Sequence, residues 1–117
     1  MKIQVNTDHN IHGREAMIEQ TVSVVESVLG HLADHITRVE VHLSDENARK
    51  GGNTDKRCMM EARFEKHQPI AVTEEAATLD EAIDGAAHKL KRLLEHTLSR
   101  LSSRISPADN AIAHAGT

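Results

Sequence analysis

Tryptophan and tyrosine are absent from the sequence, and Phe64 is its sole phenylalanine. Modules that hold single-stranded nucleic acid by stacking bases on exposed rings need several such rings. The scarcity excludes an RRM-like or cold-shock-like stacking surface, an aromatic cage and a peptide groove anchored on aromatic residues. Cys58 is the lone cysteine. That excludes an intrachain disulfide framework and a cysteine-based zinc site, and it fits a reducing, cytoplasmic compartment. No apolar run approaches the ~18–20 residues of a membrane span. Met1–Val5 leads into polar residues rather than an apolar signal core, so no signal peptide is expected. Fourteen bases against 18 acids leave a formal charge of −4. This argues against a broadly basic nucleic-acid binder but leaves room for a local basic patch.

The 117 residues suffice for one domain. In Lys2–Asn6, Ile3 and Val5 alternate with polar neighbours, a strand pattern. From about Arg14 to Ala33, Met17, Thr21, Val24, Val25, Val28, Leu29 and Leu32 recur at steps of three and four, which predicts a helix. Ile36–Leu43 alternates again, with Val39, Val41 and Leu43 on one face and Arg38, Glu40 and His42 on the other. Ser44–Asp55 reads as a loop turning at Gly51-Gly52. Lys56–Glu65 puts Cys58, Met60, Ala62 and Phe64 on one face, and Ile70–Thr73 follows Pro69 as an edge strand. Thr78 and Glu81 form a capping box. The apolar stripe Leu79, Ile83, Ala86, Ala87, Leu90, Leu94, Leu98 and Leu101 then predicts a long helix ending near Ser103–Ile105. The expected fold is α+β in the order β-α-β-β-β-α, a four-stranded mixed sheet with two helices packed on one face, over residues 1–105. Residues 106–117, rich in alanine and small polar residues, are expected to be a disordered tail.

Charge divides the second helix. From Glu74 to Asp84 the charged residues are Glu74, Glu75, Asp80, Glu81 and Asp84. From Gly85 to Ile105 they are Lys89, Lys91, Arg92, Arg100 and Arg104 against Glu95 alone. Acid at the start and base at the end complement the helix macrodipole, which accounts for part of the pattern. Lys89, Arg92, Arg100 and Arg104 lie within about one side of the helix, with His88 and His96 near it. Arg49, Lys50, Lys56 and Arg57 flank the Gly-Gly turn. Two readings stand open from charge alone: a clamp for a phosphate backbone, or a solvated polar surface.

The other constellations carry less. His31 and His35, at i and i+4, have a spacing that can share a metal, but no third ligand is near in sequence, and solvated or helix-capping histidines explain them better. Glu40, Glu61 and Glu65 are expected on the outer sheet face with Arg38, Arg57, Arg63 and His42, where cross-strand charge pairing accounts for them. Neither a nucleophile elbow nor a phosphate loop nor a His-Glu-x-x-His motif occurs. Cys58 alternates inward and reads as a small buried hydrophobe. No residue argues for an enzyme, a cofactor or a small-molecule substrate.

Ala82-Ile83-Asp84-Gly85 followed by Lys89-Leu90 and Arg92, with Val39-Glu40-Val41 and Ile3–Asn10 in the same element order, resembles the ribosome hibernation-promoting factor / ribosome-associated inhibitor family. This family is also called the sigma-54 modulation or S30AE family. The resemblance covers roughly residues 1–104. It implies a non-catalytic cytoplasmic protein that binds the small ribosomal subunit against 16S rRNA in the decoding channel and so inhibits translation or protects idle ribosomes under stress. It makes Lys89 and Arg92 the first candidate rRNA contacts, with Lys91, Arg100, Arg49, Lys50, Lys56 and Arg57 behind them. Residues 106–117 fall short of the C-terminal dimerisation domain of long members, so short-form action is expected. Arg14–Ala33 holds one base, Arg14, against Glu15, Glu19 and Glu26. The alternative is therefore a divergent member that acts as a protein-interaction module without rRNA binding, with weak self-association through a sheet edge or face.

Overall fold

The alternating segments and the two helical periods resolve into β1 (Lys2–Thr7), α1 (Arg14–Leu29), β2 (Arg38–Asp45), β3 (Lys56–Arg63), β4 (Ile70–Ala76) and α2 (Leu79–Ile105), with a 3-10 segment at Gly30–His35. The structure is a computed structural model. It describes residues 1–8, 11, 13–45 and 55–105, with side chains through 101. The strands form one four-stranded sheet in the order β1-β2-β3-β4. β1 pairs parallel to β2, and the β2/β3 and β3/β4 ladders are antiparallel. This is the mixed sheet that the crossover through α1 and the two hairpins predict.

The helices cover the face that carries Val39, Val41, Leu43, Cys58, Met60, Ala62 and Val72. These pack with Val25 and Leu29 of α1 and with Ile83, Leu90 and Leu94 of α2 in one buried core. Thr21 is buried on α1 because its hydroxyl donates to the Met17 carbonyl at 2.7 Å, which hides its polar atom within the helix. Thr78 caps α2: its hydroxyl accepts the Glu81 N–H at 3.1 Å. Among the described residues, no helix is long and apolar enough to cross a membrane.

Boundaries differ from the sequence reading for local reasons. α1 ends at Leu29, and the chain then tightens into the 3-10 segment. Leu32 still reaches the core from there. β2 begins at Arg38 because Ile36 bonds back to the Ala33 carbonyl, whereas its far end runs on to Asp45 opposite Lys56. β4 extends past Thr73 through Glu74 and Glu75, which keep the ladder with Cys58 and Arg57 although they break the apolar alternation. The Gly-Gly turn and the tail at 106–117 lie outside the described residues.

Candidate nucleic-acid interface

The α2 bases stand on one helix but face three ways. Buried Leu90 marks the core side. Lys89, one residue before it, turns toward β4: its ammonium lies 2.8 Å from Glu74 Oε1 and donates to the Thr73 carbonyl at 2.9 Å. Lys91 is about 200° further round the helix. This is the α1 side, where Gln20 donates to Asp80 at 2.6 Å and His31 meets Glu95 at 2.8 Å. Arg92 points away from both neighbours and is exposed, as is Arg100. His88, Arg92, His96 and Arg100 follow at four-residue steps and are all exposed. They form a ridge that winds slowly around the outer side of the helix, with the two guanidinium groups about 12 Å apart along the axis. Neither arginine has a partner among the described residues.

Gly85 explains how Lys89 reaches its place. A Cβ on Gly85 would sit 2.8 Å from Glu74 Cγ and 2.9 Å from Cδ. The bare backbone lets the Glu74 side chain lie across the helix surface and present its carboxylate to Lys89, one turn further on.

The bases around the loop are placed elsewhere. The loop ends, Asp45 and Asp55, lie beside the end of β4, close to where α2 begins. They therefore flank the acidic first turn of α2 and not its base-rich half, which starts about 15 Å along the axis. Lys56 is on the helix-covered side, where its ammonium lies 2.9 Å from Asp55 and 3.5 Å from Asp45. The hydrogen bond to Asp55 pushes the Lys56 pKa up, against the effect of burial and with Asp45 adding to the rise. Arg57 is exposed on the opposite, open face of the sheet. Arg49 and Lys50 lie outside the described residues.

The open face carries the charges expected there; the β3/β4 register sets Arg57 opposite Glu75, but the β2/β3 register does not set opposite charges against each other. Across β2 and β3, Arg38 stands opposite Arg63 and Glu40 opposite Glu61. The ion pairs run along each strand instead: Arg38 to Glu40 at 2.9 Å and Arg63 to Glu61 at 3.2 Å. Residues i and i+2 share a strand face, so each arginine finds its acid without crossing the ladder. Glu65 lies beyond β3. Lys2 stands opposite Arg38 in the parallel ladder. Three bases from three separate segments thus make one row, which only the register reveals.

The histidine pair does not share a face. In a 3-10 segment with three residues per turn, His31 and His35 are about 120° apart rather than stacked. His31 is committed to Glu95. No group of three or more His, Cys, Asp or Glu residues able to hold a metal ion occurs among the described residues. Cys58 is fully buried, and burial, with Glu74 adding, pushes its thiol pKa up to about 12. A thiol so held is not a nucleophile near neutral pH.

The family model described as sigma 54 modulation protein / S30EA ribosomal protein matches residues 5–102. The chain belongs to this family. Among solved structures, the S30AE fold seen here is similar to the Thermus thermophilus protein Y N-terminal domain, at 24% identity and a TM-score of 0.61, over 83% of this chain and 99% of that one. It is also similar to a ribosomal subunit interface protein from Coxiella burnetii, at 17% identity and a TM-score of 0.65, over 85% of this chain and 99% of that one. No significant match was found among curated proteins. Within this S30AE chain, Ala82, Ile83, Leu90 and Gly85 have structural duties on α2: the first three are buried and Gly85 admits Glu74. Arg92 and Arg100 are exposed and have no partner among the described residues.

Proposed function

We propose that the protein binds the small ribosomal subunit at 16S rRNA in the decoding channel, and that by occupying this site it inhibits translation and keeps idle ribosomes in hibernation. The observation that carries the reading is the match of the S30AE family model over residues 5–102. The exposed Arg92–Arg100 ridge supports it, since two unengaged guanidinium groups on a rigid helix suit phosphate contact. Folded rRNA presents phosphates and shape rather than splayed bases, so a chain almost without aromatic rings can still hold it. No bond is made or broken: the protein acts by occupancy, without a cofactor, in the cytoplasm. Lys89 and Lys91 extend the contact on either flank of the ridge, Lys89 once a phosphate displaces Glu74. Arg57 is a contact of second rank at the other end of the domain, with Arg49 and Lys50, outside the described residues, ranked beside it from sequence; Lys56, held by Asp55 and Asp45, serves the fold instead.

Sedimentation through a sucrose gradient tests the reading. With isolated small subunits at low salt the protein should migrate with the subunit and return to the top of the gradient as salt rises. Protein that stays at the top at low salt overturns it. The exposed acids of α1, Glu15, Glu19 and Glu26, favour a second reading, a protein-interaction module without rRNA binding. Absence from ribosomal fractions together with capture of a protein partner would select that one.

A further inference from the structure

At the end of the sheet remote from Asp45 and Lys56, the 3-10 segment, the residues just after β3 and the last turns of α2 enclose a groove of about 550 Å³. Its apolar walls are Phe64, Leu98 and Leu101, and Asp34, Glu65 and Thr37 stand around it, with His35 beside them. Phe64 is fixed from behind by His67, whose ring stacks on it at 4.7 Å between centroids and 15° between planes. The Thr37 hydroxyl is already given to the Arg63 carbonyl at 2.9 Å. The two carboxylates are not engaged: neither Asp34 nor Glu65 has a partner among the described residues. The 3-10 segment meets the groove at its C-terminal end, at Asp34 and His35, where partly negative carbonyls favour a cation. Among the described residues, no lysine or arginine lines the groove.

Apolar walls under an anionic mouth complement one kind of side chain, a cationic head on an aliphatic stem. We propose that this groove receives a lysine or arginine side chain from a basic segment of a partner protein. The stem lies on Phe64, Leu98 and Leu101, and the head sits between Asp34 and Glu65. The chain's own residues 106–117 contain neither lysine nor arginine, so they do not supply this group. A phosphate or an acidic peptide meets the wrong charge there. The inference stands apart from rRNA binding, which uses the exposed outer ridge of α2.

The test is an NMR titration of the full chain with a capped peptide of alternating arginine and glycine, beside a capped glutamate–glycine peptide and a short single-stranded RNA. The arginine peptide should produce saturable shifts centred on Thr37, Phe64, Leu98 and Leu101. Asp34→Asn with Glu65→Gln should weaken that binding by about tenfold, while the thermal melt is unchanged because both side chains are exposed. Leu101→Ser, which keeps the carboxylates, should weaken it as well. Shifts centred on the α1 acids, shifts that survive the double substitution, or equal occupancy by the glutamate peptide or the RNA would each overturn the proposal. So would shifts that track protein concentration without peptide, since the occupant would then be a second copy of the chain.

Discussion

Glu74 Oε1 and Lys89 Nζ meet at 2.8 Å where β4 passes over α2, so one of the two bases that the resemblance ranks first for rRNA is engaged within the fold. The pair is partly exposed, with side-chain accessibilities of 41% for the lysine and 32% for the glutamate. It therefore contributes at most about 1 kcal/mol to stability, and a phosphate must compete with the carboxylate for the same ammonium. Glu74→Gln should leave the thermal melt within a few degrees of the parent and should raise the salt concentration needed to release the protein from small subunits. Release at an unchanged or lower salt concentration would show that Lys89 serves the fold alone.

Gly85 is tied to the same pair. Gly85→Ala gains about 1 kcal/mol of intrinsic helix propensity, yet its Cβ would meet Glu74 Cγ at 2.8 Å. The glutamate side chain can swing away, so the expected result is a melt close to the parent or slightly above it, together with loss of the ion pair. A crystal structure or the ¹⁵N shift of the Lys89 ammonium reads the second effect directly. A substantially lower melt would mean that the strand, and not only the side chain, has to move.

The buried thiol makes a pH prediction with a fixed sign. The Cys58 pKa rises from 9.0 to about 12 on folding. Below the ordinary value both states carry a neutral thiol and the group adds no pH dependence. Between that value and about 12 the unfolded chain ionises while the folded chain stays protonated, so stability falls as pH rises, with a slope approaching about 1.4 kcal/mol per pH unit. Lys56, whose pKa is also raised, steepens the same decline, so the Cys58 share is read as the difference between parent and Cys58→Ala in denaturant titrations from neutral to alkaline pH. In the native protein near pH 8 a thiol reagent should react only as fast as the domain opens; immediate labelling would refute the buried placement.

Sequence periodicity sufficed for the strands, the helices and their order because each buried position repeats at the period of its element: Val39, Val41 and Leu43 at two, Ile83, Ala86, Leu90 and Leu94 at three and four. It fell short where polar residues stay in a ladder, as Glu74 and Glu75 do in β4. It fell short again where the period itself changes, as in the 3-10 segment that separates His31 from His35. For the candidate interface, the base-rich half of α2 was legible as a run of charge. Two things were not. Which lysine is engaged depends on Glu74 crossing above Gly85. The row Lys2, Arg38 and Arg63 exists only through strand register, and the same register places like charges opposite each other where a pattern-based reading expects them to pair.

The exposed ridge and the engaged bases should separate in a salt titration. Removing one base that neutralises a phosphate lowers the slope of log affinity against log salt by about 0.7–0.9. Arg92→Ala with Arg100→Ala should therefore flatten the slope for small-subunit binding by roughly 1.5 and weaken binding severalfold or more at low salt. The melt should hold, because both side chains are exposed and have no partner among the described residues. Lys56→Ala should do the reverse. Its ammonium is shared between Asp55 and Asp45, and Asp55 is nearly buried. Removing the lysine leaves that carboxylate poorly compensated and lowers the melt, while the salt slope stays that of the parent. If Lys56→Ala flattened the slope and the double arginine variant did not, the rRNA contact would lie at the loop end of the domain, beside the acidic start of α2, and the ridge would be an ordinary solvated face.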